Sequence, residues 1–179
     1  MAYRNQQRIG IAAPASAVWR ALSDLESWRD WNPLYTSAEG RMSIGSQVVL
    51  TRSTGDKVTI EEVRIVDWVP NEQLVWARSL GFFASTIGYI EIEALSECGC
   101  IVSVGEIYNG LIGQQIGRRR RRVFRAGYAA LCEAIKSRSE SNWDGIADPP
   151  LPPPPPKPNS HMTAMKSAKP ASVSMGRRK

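Results

Sequence analysis

Histidine is nearly missing from this chain: the only one, His161, lies close to the C-terminus. Histidine-based triads and imidazole acid–base catalysis are therefore excluded from the first 160 residues. Cysteine is also sparse, at Cys98, Cys100 and Cys132. An odd, small set fits a reducing compartment better than a disulfide framework. A zinc site normally takes four Cys or His ligands, so Cys98-Gly99-Cys100 with one further cysteine reads as a turn. No phosphate loop, dinucleotide fingerprint or nucleophile elbow is present. The expectation is no metal and no cofactor. No apolar run approaches the roughly 18 residues of a membrane span, and the N-terminal MAYRNQQRIGIAAPA has no apolar signal-peptide region. A soluble, cytoplasmic protein is the reading that follows.

Basic residues exceed acidic ones, for a formal net charge of +6. That charge is unevenly placed. Residues 145–179 carry Lys157, Lys166, Lys169, Arg177, Arg178 and Lys179 against Asp148 alone, a balance of +5, which leaves +1 for residues 1–144. The first 144 residues are nearly neutral, which argues against a basic nucleic-acid-binding surface.

Taken in order, the pattern reads as α+β. Gln6 to Ala12 is a strand with Ile9 and Ile11 alternating. Pro14 opens a short helix through Leu22, and Leu25 to Asp30 forms a second, stopped by Trp31-Asn32-Pro33. Strands follow at Tyr35 to Arg41, Gln47 to Ser53, Lys57 to Trp68, Gln73 to Leu80, Ser85 to Leu95 and Ile101 to Tyr108. Thr54-Gly55-Asp56 and Pro70-Asn71 are turns between them. In the strand from Lys57 the apolar phase slips between Ile60 and Val63, which predicts a bulge there. Residues 111–139 then read as one long helix. Its stripe is Ile116, Val123, Phe124, Gly127, Leu131, Ala134 and Ile135, and at about 1.5 Å per residue it spans roughly 40 Å. The sheet has one face to bury and the helix one stripe, so the simplest arrangement curls about six to seven strands around the helix. Residues 1–142 make this domain. Residues 143–179 read as a disordered tail, because eight of the ten residues from Pro149 to Pro158 are proline and the rest lack periodicity.

Several stretches together resemble a known family. Ile11-Ala-Ala-Pro14, Val18-Trp19-Arg20-Ala21-Leu22-Ser23-Asp24 and Trp28-Arg29-Asp30-Trp31-Asn32-Pro33 are similar to the opening of START-like, SRPBCC proteins of the polyketide cyclase/dehydrase type. Val66-Asp67-Trp68-Val69-Pro70 with Leu74-Val75-Trp76, and Glu106-Ile107-Tyr108-Asn109-Gly110 before the arginine-rich helix start, resemble its middle and end. The resemblance covers roughly residues 5–140. It implies the helix-grip fold shared with birch-pollen-allergen-like proteins, with a deep cavity between sheet and C-terminal helix. It also implies binding of lipids, polyketides or other apolar molecules, with cyclisation or dehydration in a minority of members.

Strand alternation nominates the inward residues. Val102, Val104, Glu106 and Tyr108 share one face of the last strand. Glu106 is either a desolvated carboxylate that serves ligand or acid–base chemistry, or the ion-pair partner of an arginine at the helix start such as Arg120. In the strand from Gln73, Trp76 and Arg78 point the same way, and Trp76 is read as lining the pocket or packing in the core. Arg78 is read as meeting a ligand's polar end, meeting Glu106, or lying at an exposed strand end. In an enzyme, Glu106 as general base and Arg78 as enolate stabiliser would be the catalytic pair. Ile90 and Ile92, beside Gly88, supply apolar wall, and Phe124 and Tyr128 either close the cavity from the helix or belong to the core. Arg118 to Arg122 circle the helix and cannot form one face; only Arg120 lies in line with Ile116 and Phe124. The leading expectation is a binding protein for a small, largely apolar ligand. The rivals are a cyclase or dehydratase, and a ligand carrier recruited to a partner or anionic membrane by the Pro-rich basic tail.

Overall fold

The computed structural model describes residues 2–54, 56–81 and 84–145. The Pro-rich basic tail and His161 lie outside them. Seven antiparallel strands form one sheet in the order β1-β7-β6-β5-β4-β3-β2. The strands are β1 Tyr3–Ile11, β2 Tyr35–Gly40, β3 Gln47–Thr54, β4 Lys57–Val69, β5 Gln73–Ser79, β6 Ser85–Ser96 and β7 Gly99–Asn109. From β2 to β7 each strand pairs with its sequence neighbour. Only β1 departs, pairing with β7 from Tyr3↔Tyr108 to Ile11↔Cys100. Two short helices, α1 Ala15–Ser23 and α2 Trp28–Trp31, carry the chain from one edge strand to the other. Two more, α3 Leu111–Arg119 and α4 Arg121–Ser141, follow the sheet. This is the curved sheet and C-terminal helix of the helix-grip arrangement.

Local chemistry accounts for the corners. Pro14 is the cap residue of α1, one position earlier than its expected place inside the first turn, with φ −66° and extended ψ. The Trp28 indole donates to the Leu22 carbonyl at 3.2 Å, pinning α2 to α1. Asn32 Oδ1 accepts from the backbone N–H of Leu34 and of Tyr35, at 3.0 and 2.8 Å, and turns the chain into β2. Asn71, φ 64°, takes the left-handed conformation the Pro70-Asn71 turn requires. The core joins Val18, Leu22 and Trp28 to the inner sheet residues and to Phe124, Tyr128, Leu131 and Ile135 of α4.

Two expectations are corrected. Residues 111–139 do not form one helix: Arg120, φ −94° and ψ 7°, interrupts it and separates α3 from α4. Five consecutive arginines set like charges three and four residues apart, which disfavours a continuous helix. Gly113 and Gly117 weaken α3 by about 1 kcal/mol each relative to alanine. Gly117 is nonetheless needed, since a Cβ there would lie 2.5 Å from the Tyr3 ring. The stripe shifts accordingly: Val123 is exposed, and Tyr128, Cys132 and Ser139 join the buried side.

The second correction concerns β4. Its register with β3 is unbroken from Gln47↔Arg64 to Thr54↔Lys57. The bulge lies further on, between Ile65 and Asp67 against β5. Glu61, Val63 and Ile65 keep a regular inward alternation while Ile60 points out, 74% exposed. The slip in apolar phase marks a buried carboxylate, not an extra residue.

Candidate functional site

Period-two alternation delivers charged side chains to the inner face of the sheet. On β3, Val48, Leu50 and Arg52 are all buried. On β4 the inward position diagonal to Arg52 is Glu61, and Arg78 on β5 and Glu106 on β7 reach the same region from further along the sheet. The side chains of Arg52, Glu61 and Glu106 are 4%, 7% and 4% exposed, and that of Arg78 is 22%. Charges removed from water this far require partners, and they have each other. Arg78 Nη1 meets Glu61 Oε1 at 2.6 Å, Arg52 Nη1 meets the same oxygen at 3.5 Å, and Arg52 Nη2 meets Glu106 Oε2 at 3.1 Å. The result is a line of alternating charge, Arg78–Glu61–Arg52–Glu106, with no net charge.

Aromatic side chains close around its inner end. Arg52 Nη2 donates to the hydroxyls of Tyr35 and Tyr128 at 3.0 and 2.8 Å. Its guanidinium carbon lies 5.3, 5.3 and 5.7 Å from the ring centroids of Tyr35, Phe124 and Tyr128, within cation–π range. Tyr108 and Tyr128 donate to Glu106 Oε2 at 2.8 and 2.7 Å. Burial opposes charge on Glu106, but the Arg52 guanidinium and hydrogen bonds from Tyr128, Tyr108 and Thr86 outweigh it and lower its pKa. Burial, reinforced by the Glu106 charge, raises the phenols of Tyr108 and Tyr128, so both remain donors. Glu106 is thus an anion held by one guanidinium and three hydroxyls.

In front of this line lies a cavity of about 660 Å³. The sheet contributes Arg52, Thr54, Lys57, Val58, Thr59, Glu61, Arg78, Leu80 and Tyr108 to it, and α3 and α4 contribute Ile116, Arg119, Arg120, Val123 and Phe124. Four residues nominated from the sequence therefore meet at one cavity: Arg78, Tyr108, Phe124 and Arg120. Glu106 and Tyr128 sit behind Arg52 rather than on the cavity surface. Trp76, Ile90, Ile92, Val102 and Val104 are in the core, away from the lining. Trp76 lies over Gly88, where a Cβ would come 2.3 Å from its ring. The partner anticipated for Glu106 on the helix is corrected to Arg52 on β3: Arg120 is exposed at the helix break, whereas Arg52 is the cation within 3.1 Å. Likewise Arg78 pairs with Glu61, not Glu106.

Arg52 and Glu61 are the residues sequence reading missed. Both signals were present, as the continuation of Val48-Leu50 into Arg52 and the phase slip at Glu61. A charged residue in an inward phase is easily taken for an error of phase. The cysteines carry no reactive arrangement: burial pushes the Cys100 and Cys132 thiols up to about 11, and Cys98 is exposed in the β6–β7 turn.

Comparison with known proteins agrees with this fold. A family model described as polyketide cyclase/dehydrase and lipid transport matches residues 4–148. The chain belongs to this family. Its fold is similar to that of the ZhuI aromatase/cyclase from Streptomyces sp. R1128, with a TM-score of 0.64 at 16% identity over 78% of this chain and 94% of that one. It is similar also to a START superfamily protein from Mycobacterium smegmatis, with 0.63 at 16% identity over 77% and 97% of the two chains. Norcoclaurine synthase from Thalictrum flavum gives 0.62 at 12% identity over 80% and 89%. No curated protein matches the sequence. At these identities the solved structures establish the shared fold, and the site must be read from its own residues.

Proposed function

We propose that this polyketide cyclase/dehydrase-family chain binds a small, largely apolar molecule between its sheet and α3–α4, with a polar group of that molecule received by Arg78 and Glu61. The observation that carries the reading is the cavity of about 660 Å³, which combines an apolar wall with a charge line on its inner side. Val58, Leu80, Ile116, Val123 and Phe124 supply apolar surface for burial, at about 25 cal/mol per Å² before the costs of association. Arg78 is the less buried cation of the line, and its Nε has no hydrogen-bond partner. A carbonyl or hydroxyl reaching the wall meets a guanidinium donor and a carboxylate acceptor within one ion pair.

Binding is favoured over catalysis by the state of Glu106. A general base needs a free lone pair and a pKa near the working pH. Glu106 has a lowered pKa, three hydroxyl donors and a guanidinium around it, and lies behind the cavity surface. If the family's cyclase chemistry operates here, Glu61 and Arg78 are the groups placed to touch the substrate.

The test is native mass spectrometry of the full chain purified from its own host, followed by organic extraction. A stoichiometric apolar adduct is expected. A chain that arrives empty and takes up no apolar compound from a panel of aromatic and long-chain molecules contradicts the proposal.

A further inference from the structure

The cavity lining holds five basic side chains, Arg52, Lys57, Arg78, Arg119 and Arg120, against one acidic one, Glu61. Counting Glu106, which neutralises Arg52 from behind, an excess of +3 remains. Its location is informative. Arg52 and Arg78 are balanced by the two carboxylates, so the uncompensated charge belongs to Lys57, Arg119 and Arg120. All three are exposed, and no carboxylate among the described residues pairs with them. They come from opposite walls, Lys57 from the start of β4 and the arginines from the junction of α3 and α4. Exposed apolar side chains stand among them, Val58 at 66% and Val123 at 48%.

The local electrostatics make this arrangement costly for the protein alone. Arg121 and Arg122 follow in the first turn of α4, the positive end of the helix dipole, and that turn contains no acidic residue and no side-chain cap. Cations belong at the other end of a helix, as Arg118 and Arg119 do in the last turn of α3. Arg118 to Arg122 also repel one another at spacings of three and four. Arg119 and Arg120 are the members of this run that line the cavity, and an anion bound beside them offsets the repulsion.

Taking the cavity as a ligand site, we infer that its occupant is an amphipathic anion. The apolar body lies along Leu80, Ile116 and Phe124, and a carboxylate, sulfate or phosphate sits at the rim between Lys57 and Arg119–Arg120. The rim then selects for acids, and the inner charge line receives the opposite, neutral polar end.

Three probes with one ring system and different charge separate these contributions: anthracene-2-carboxylate, its methyl ester, and 2-(aminomethyl)anthracene. Each is titrated into the full chain by fluorescence at 20 mM and 500 mM salt. The acid is expected to bind about tenfold or more tighter than the ester at low salt, and the amine weakest. High salt should collapse the difference, because the screening length falls from tens of ångströms to a few. In Lys57→Gln/Arg119→Gln/Arg120→Gln, a change confined to exposed positions, the ratio of acid to ester affinity should fall to about one. Equal binding of acid and ester to the wild type, or an acid preference that survives the triple variant, overturns the inference and leaves the cavity reading standing. Failure of all three probes to bind overturns both.

Discussion

Arg52 is the residue on which the interior depends. It reaches two carboxylates, two tyrosine hydroxyls and three aromatic rings from a position 3% exposed. Removing one member of a buried ion pair leaves its partner uncompensated, at a cost of about 3–5 kcal/mol. Arg52→Met is therefore expected to destabilise the chain by that amount in urea unfolding, and the added change Glu106→Gln to recover part of it. Glu106 sets a pH dependence whose sign is fixed. Its folded pKa lies below the ordinary carboxylate value of 4.5. The unfolded chain therefore takes up the proton first, and the stability Glu106 contributes is full above about 4.5 and lost as pH falls through the folded value. Urea midpoints measured from pH 6 down to pH 3 should fall less steeply for Glu106→Gln than for wild type. Parallel curves would show that Glu106 is not held as an anion.

At the scale of elements, the strands were legible because alternation reports which face is buried, and five of the seven begin within one residue of their expected start. The errors fell where charge entered the inward phase. Glu61 looked like a bulge because periodicity counts apolar side chains, whereas a sheet accepts a carboxylate inward if arginines stand at its diagonals. The long helix was over-read for a related reason: its stripe continues through Arg120, but the repulsion of five arginines and the packing of Gly117 on Tyr3 are not contained in a hydrophobic period. Pairing of β5 with β6 depends on Gly88, which gives Trp76 its place. Gly88→Ala should cost about 1–3 kcal/mol by overpacking, read as a lower denaturation midpoint with an altered tryptophan emission spectrum. An unchanged midpoint would mean that Trp76 has another rotamer open to it.

For the whole molecule, the order of elements was enough to imply a sheet gripping a helix, since one buried sheet face and one buried helical stripe have few other solutions. The site was less legible. Which inward residues line a cavity and which fill the core depends on how far the sheet curves from the helix, and no alternation encodes that distance. Ile90 and Val104 share the inward face with Arg78 and Tyr108, yet only the latter pair reaches the opening. No described helix is long and apolar enough to cross a membrane. Binding between sheet and helices is the central claim, and filling that space tests it most directly. Leu80→Trp and Ile116→Trp narrow the cavity from opposite walls, and Ile44→Trp adds the same ring at an exposed turn outside it. Titrated with methyl anthracene-2-carboxylate, the two cavity variants should lose at least tenfold in affinity while Ile44→Trp matches wild type. Undiminished binding by both cavity variants would place the ligand elsewhere and contradict the account.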